Sequence, residues 1–405
     1  MIPQFIRNKP RLAFYSFLAV FASGFGQTFF VSVMGGEIRE TFELSHTAYG
    51  MIYSLATVLS AVFLFRLGGL ADTWSLSRVS CLALLVLALG CILIGLAPGV
   101  IVLGLGFMLI RFGGQGYIAH LGITTAARYF SVHQGKAVAF AASGFPVAEA
   151  ILPATAVFVL GLAGWRWSWI GGGALIILII LPVMVFLSAS TPAPVKDIRL
   201  SSGKESGRNF TRLQVLRDPG FYMVLPAALA TPFTVTAIMF HQVAIAEIQG
   251  WSLQLVAAAF SGYASGHLAA LFFAGSVVDR IGAGRSLPIS LIPMTAGMLI
   301  LAFFSHAWVA MVYLGLVGIT QGFAATSAGA IWAERYGVTH LGSIRSMAQS
   351  TMVVATSIAP VLLGSLLDAG VGITVLALIM TLGLTTCSLS ASLAPKPVQA
   401  PAGSR

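Results

Sequence analysis

Residues 68–78 read Gly68-Gly69-Leu70-Ala71-Asp72-Thr73-Trp74-Ser75-Leu76-Ser77-Arg78, and residues 275–285 read Gly275-Ser276-Val277-Val278-Asp279-Arg280-Ile281-Gly282-Ala283-Gly284-Arg285. Glycine meets glycine, aspartate meets aspartate and arginine meets arginine at one offset of 207 positions. The same offset, without a gap, pairs Ser45 with Ser252, Arg128-Tyr129 with Arg335-Tyr336, His133 with His340, Gly135 with Gly342 and Pro153 with Pro360. Coincidences spread this far at a single shift mark an internal duplication. In a chain of 405 residues it makes two halves.

The composition says what each half is. Hydrophobic residues make up 58% of the chain and charged residues 8%, with a mean hydropathy of +0.93. A soluble chain is about 25% charged, so these charges are too few to cover a water-facing surface. Three cysteines exclude a disulfide scaffold, and the low polarity excludes disorder. A bilayer core needs about 20 apolar residues per helix. Twelve such runs are read at 12–36, 47–69, 79–97, 99–125, 137–160, 167–188, 220–246, 253–275, 287–304, 308–332, 344–367 and 371–392. The expected fold is therefore an all-α polytopic membrane protein, with twelve transmembrane helices in two pseudo-symmetric six-helix bundles. The first run follows Arg7, Lys9 and Arg11 but is too long for a signal-peptide core, and reads as a retained span.

The net charge of +10 would suggest nucleic acid in a soluble protein. Here the cations sort by side. Only Arg39 and Arg166 lie on one face, Arg66 and Arg111 fall within spans, and the remaining Lys and Arg share the opposite face. The positive-inside rule makes that face cytoplasmic, with both termini inside. The acidic loop residues Glu37, Glu40, Glu43, Glu247 and Asp368 lie opposite, and Trp165, Trp167, Trp169, Trp251 and Trp308 are expected there as an interfacial belt. Topology accounts for the basic balance, so no nucleic-acid partner is implied. The expected divisions are a bundle at 1–188, a polar cytoplasmic linker at 189–219, a second bundle at 220–392 and a tail at 393–405. Cys81, Cys91 and Cys387 sit in apolar runs and read as buried thiols.

With its two six-span halves and its Gly-x-x-x-Asp loop, the chain resembles the major facilitator superfamily over nearly its whole length. The second copy of the loop is the better match, since the first has Thr73 and Ser75 where the pattern has a basic residue and glycine. Arg111-Phe112-Gly113-Gly114-Gln115-Gly116 is similar to the superfamily's span-4 motif, and the span-4 to span-5 region has some likeness to bacterial monocarboxylate-type members. The resemblance implies alternating access about a midplane site, with spans 1, 4, 7 and 10 lining the cavity. It nominates Gln27, Phe30, Arg111, Gln115, Phe240, Gln242, Gln321 and Trp332 as substrate contacts. It also implies a gate at Gly68, Asp72, Arg78, Gly275, Asp279, Arg280 and Arg285, in which each aspartate meets a helix N-terminus, a contact worth up to about 1 kcal/mol.

Arg111 and Glu149 fall near the middle of spans 4 and 5. A charge at that depth costs several kcal/mol unless paired or hydrated. Either they pair as a structural ion bridge, or Arg111 holds an anionic solute while Glu149 carries a coupling proton. His267, in span 8, titrates near neutrality when unperturbed and is a second proton-coupling candidate. His120 and His241 near span ends are candidate gate residues. No GxxxxGK[ST], HExxH or GxSxG occurs, so nucleotide-driven transport and common hydrolase chemistry lack support. Neither cofactor nor metal is expected.

The resulting expectation is a non-enzymatic secondary transporter of a small solute, an organic anion, coupled to protons. It is expected to work as a monomer in a bacterial inner membrane. Rival readings are a proton-coupled exporter of amphipathic or cationic compounds, against which the missing Gly-Pro pattern of span 5 counts, and a non-transporting receptor or sensor with a transporter fold.

Overall fold

The structure is a computed structural model that describes residues 4–67, 74–130, 134–189, 210–337, 339–395 and 397. Among these, twelve helices are long and apolar enough to cross a membrane: spans 1–6 are Pro10–Ser32, His46–Leu67, Leu76–Leu96, Val100–Tyr129, Gln134–Ala163 and Trp165–Ser188, and spans 7–12 are Pro219–Phe240, Leu253–Ile281, Ala283–Phe303, Ala307–Tyr336, Leu341–Asp368 and Ile373–Ser392. All twelve runs read from the sequence are present, with ends moved by no more than about two turns. Spans 3 and 9 share both ends at the 207-residue offset, and so do spans 4 and 10. The duplication is therefore structural.

The helices are apolar nearly all round, as lipid-facing helices must be. Phe65 (88% exposed) and Ile101 (79%) would be anomalies in water. The aromatic belt is smaller than expected. Trp167 and Trp308 are exposed, but Trp165, Trp169 and Trp251 are buried. Trp169 packs against Phe30, and Trp165 lies under Arg166. The cysteine expectation also needs correcting: Cys91 is buried, whereas Cys81 and Cys387 are half-buried. An apolar run cannot distinguish a face turned inward from one turned to lipid, because both environments are equally apolar.

The described chain divides into two compact units. One comprises 1–198, 236–264 and 357–370, and the other 199–235, 265–356 and 371–405. The first thus joins spans 1–6 with the acidic-loop ends of spans 7, 8 and 11. Span 1 breaks within it. Ser23–Gly26 form a 3-10 turn and Gln27 is extended (φ −89°, ψ 156°) before the helix resumes at Thr28. Glycine is required at the break because a Cβ on Gly26 would lie 2.2 Å from the Ile110 carbonyl oxygen of span 4. Span 4 answers with a π-helical stretch, Arg111–Ile118. There Gly114 meets the Gly26 backbone and Gly113 meets span 3. Widened turns of this kind often mark functional sites. In the second unit, spans 8 and 10 make a similar approach, where Gly266 faces the Gly315 carbonyl and Gly322 the His267 carbonyl.

Candidate transport site

The two glycine-lined breaks converge on Arg111. At the break Phe30 N–H bonds to Gln27 O, and Arg111 Nη1 donates to the Gly26 carbonyl at 3.3 Å. The guanidinium lies 5.0 Å from the centre of the Tyr53 ring of span 2. Arg111 is only 3% exposed, yet its Nε has no hydrogen-bond partner among the described residues. Around it Tyr53 bonds to Thr28 at 2.9 Å and packs on Phe107 and Phe240. Arg111 therefore sits in an aromatic shell with a carbonyl and a ring face as partners, and among the described residues no carboxylate contacts it. Its neutralisation is incomplete, which is costly at this depth.

Glu149, in span 5, is 4% exposed and exerts its charge on Tyr263 of span 8. Arg111 meets the Gly26 carbonyl and the Tyr53 ring, and among the described residues no ion pair is seen between it and Glu149. His267 is buried in the second unit. The nominated cavity residues divide by exposure. Gln115 is exposed and Gln27 half-buried. Phe30, Phe240 and Gln242 are buried in the first unit, Phe30 between Phe25 and Trp169 and Phe240 stacked on Tyr49. Gln321 and Trp332 line a cavity of about 320 Å³ in the second unit, together with Thr231, Arg345 and Gln349. A second cavity, of about 510 Å³ in the first unit, is bordered by Glu37, Arg39, Glu40, Glu43, Glu247 and Trp251.

Of the expected gate, Gly68 and Asp72 lie outside the described residues, as does His133. Arg78, Asp279, Arg280 and Arg285 are exposed, and a Cβ on Gly275 would meet nothing within 4 Å. The first turn of span 9 is instead capped by Glu334 of span 10, which accepts from Ala283 N–H and from Gly284 N–H. Nearby, Arg335 and Asp218 pair at 3.3 Å, and Tyr336 donates to the same carboxylate at 2.6 Å.

The contact that the sequence did not disclose lies at the acidic-loop end of the first unit. Asp368, the last residue of span 11, accepts from His46 N–H (3.0 Å), Thr47 N–H (2.8 Å) and the Thr47 hydroxyl (2.6 Å). These donors form the first turn of span 2, so the carboxylate caps a helix N-terminus. The two helices touch through glycine: a Cβ on Gly364 would lie 2.7 Å from His46 O, and one on Gly50 2.9 Å from Pro360 O. That Pro360 carbonyl accepts from His241 Nε2 at 2.8 Å. Burial pushes the His241 imidazole down to about 4, against the pull of this bond, with His46 and Arg39 adding to the effect. Arg39 also reaches Glu247 at 3.8 Å.

The comparisons agree with this architecture. The family model of the Major Facilitator Superfamily matches residues 16–244 and 223–405. The chain belongs to that superfamily, and it has the family's secondary-transporter fold. Among solved structures, it is similar to a bacterial homologue of the human lysosomal transporter Spinster in an inward-facing, unoccupied conformation, with 14% identity, a TM-score of 0.66 and coverage of 95% of this chain and 94% of that one. The occupied inward-facing form of that homologue matches at 14% identity, with a TM-score of 0.65 and coverage of 97% and 94%. At this identity the likeness is one of fold. No curated protein matches the chain in sequence.

Proposed function

We propose that the protein moves a small organic anion across the bilayer in exchange for, or together with, protons, by alternating access of two six-helix bundles (1–188 and 220–392). One observation carries the anion reading: Arg111 is buried at mid-span, and no carboxylate neutralises it among the described residues. Its aromatic shell leaves the guanidinium short of one anionic partner, which a carboxylate-bearing solute supplies through two parallel hydrogen bonds. Glu149, buried in span 5, carries the proton, with His267 as a second carrier. The loops at Asp72–Arg78 and Asp279–Arg285 close the basic-loop side, which is cytoplasmic together with both termini. The protein works as a monomer in a bacterial inner membrane.

The test is flux in proteoliposomes with an imposed pH gradient. Arg111→Gln should lose anion uptake while the protein remains folded, and Glu149→Gln should retain exchange but lose gradient-driven accumulation. Full uptake by Arg111→Gln would remove the anion reading. The acidic cavity at Glu37, Glu40, Glu43 and Glu247 favours a second reading, export of amphipathic cations. Resistance conferred on a drug-sensitive host and abolished by Glu149→Gln would select it. Ligand binding with no flux would leave a sensor.

A further inference from the structure

The cavity of the second unit holds a combination of groups that the superfamily motifs do not account for. It lies among spans 7, 10 and 11, and its volume of about 320 Å³ is at the small end of ligand pockets. Most of its wall is apolar: Leu225, Leu229, Trp332 and Met352, with small residues between them. Four polar side chains enter it: Thr231, Gln321, Arg345 and Gln349. No acidic residue is among those that line it.

Arg345 is the decisive group. It lies just inside the run read from the sequence at 344–367, although it counts with the loop cations; the helix of span 11 begins at Leu341 and places it one turn in. Gln349 and Met352 follow at the spacings that keep a single helix face. The Arg345 guanidinium donates to the Gly329 carbonyl of span 10. Arg345 and Gln349 are exposed, so they stand at the cavity's open edge, and among the described residues no carboxylate pairs with Arg345. Across the cavity Thr231 is 2% exposed, and its hydroxyl has no hydrogen-bond partner among the described residues. A buried hydroxyl left unpaired is a cost that an occupant with an acceptor atom relieves.

We propose that this cavity is a monocarboxylate subsite. Arg345 and Gln349 take the carboxylate, and Thr231 and Gln321 bond to its free lone pairs or to an adjacent oxygen. The Trp332–Met352 wall takes a short apolar body. One cation without a counter-ion matches one negative charge and disfavours solutes of the opposite sign. The inference rests on the organic-anion reading and assigns to it a second group of residues, separate from Arg111.

The full-length protein in nanodiscs, titrated with acetate, butyrate, hexanoate and benzoate and with the corresponding neutral amides, provides the test. Arg345→Gln should weaken carboxylate binding at least tenfold and leave amide binding unchanged, while Arg345→Lys should restore part of the loss. Ala328→Phe, which fills the cavity without altering charge, should abolish both series. It keeps the question answerable if Arg345→Gln does not fold. If carboxylate binding survives Arg345→Gln and Ala328→Phe but is lost in Arg111→Gln, the subsite is refuted and the anion reading stands. If the unmodified protein binds no carboxylate in the series, both fall together.

Discussion

His241 is neutral where it stands. Its imidazole is 3% exposed, bonds to Pro360 O and faces the His46 ring at 5.6 Å, with Arg39 and Asp368 acting on it from neighbouring segments. Its folded value of about 4 lies below the ordinary imidazole value of about 6.5. The folded contact therefore binds fewer protons than the opened one between these limits. Its stabilisation is complete above about pH 6.5 and is lost as pH falls towards 4. We expect the thermal midpoint to drop between pH 7.5 and pH 5, and His241→Gln to remove most of that dependence. An equally steep curve in the variant would assign the effect to other groups. The sequence placed Arg111 and Glu149 at mid-membrane from span arithmetic alone. It could not show which partners each would meet, because which face of a helix a residue occupies depends on breaks and widened turns. Arg345 escaped for a different reason: it stands at the start of the run at 344–367, and a cation beside a span end counts with the loop cations although the helix carries it against the cavity wall.

At the scale of elements, function depends on where backbones touch. The 3-10 break of span 1 and the π stretch of span 4 are mutually dependent, because each supplies the glycine the other needs. Gly26→Ala places a methyl group 2.2 Å from Ile110 O. Backbone on one side and a widened turn on the other leave little room to yield. Overpacking typically costs about 1–3 kcal/mol, so we expect the thermal midpoint to fall by several degrees and anion uptake to be lost with it. Gly99→Ala, where a Cβ meets nothing within 4 Å, is the control expected to be silent. The twelve spans were legible because each is a long apolar run. The internal break of span 1 was not, since the Gly24-Phe25-Gly26 stretch reads as equally compatible with a continuous helix.

For the whole molecule, two carboxylates cap helix N-termini: Glu334 that of span 9, in the second unit, and Asp368 that of span 2, at the acidic-loop end of the first. The sequence exposes the basic-loop end in its paired Gly-x-x-x-Asp loops. The acidic-loop end uses Asp368 and span 2, with no motif to announce it, since an aspartate at a helix end resembles any loop acid. If transport requires both ends to open in turn, fixing the span 2–span 11 contact should arrest it. We expect Thr47→Cys/Asp368→Cys, with Cys81, Cys91 and Cys387 replaced by serine, to lose uptake on treatment with a short cleavable thiol cross-linker and regain it on cleavage. Unimpaired uptake by the cross-linked protein would make the contact static. The π-helical stretch has a last consequence. Spans 4 and 10 contain the same number of residues at the same offset, but span 10 is an uninterrupted α-helix while span 4 widens over Arg111–Ile118. Each extra residue taken into a widened turn rotates everything beyond it by about 100°. The halves thus keep count without keeping phase. Beyond Ile118, adding 207 finds a residue's ancestral twin in span 10 but not the compass bearing at which that twin now points.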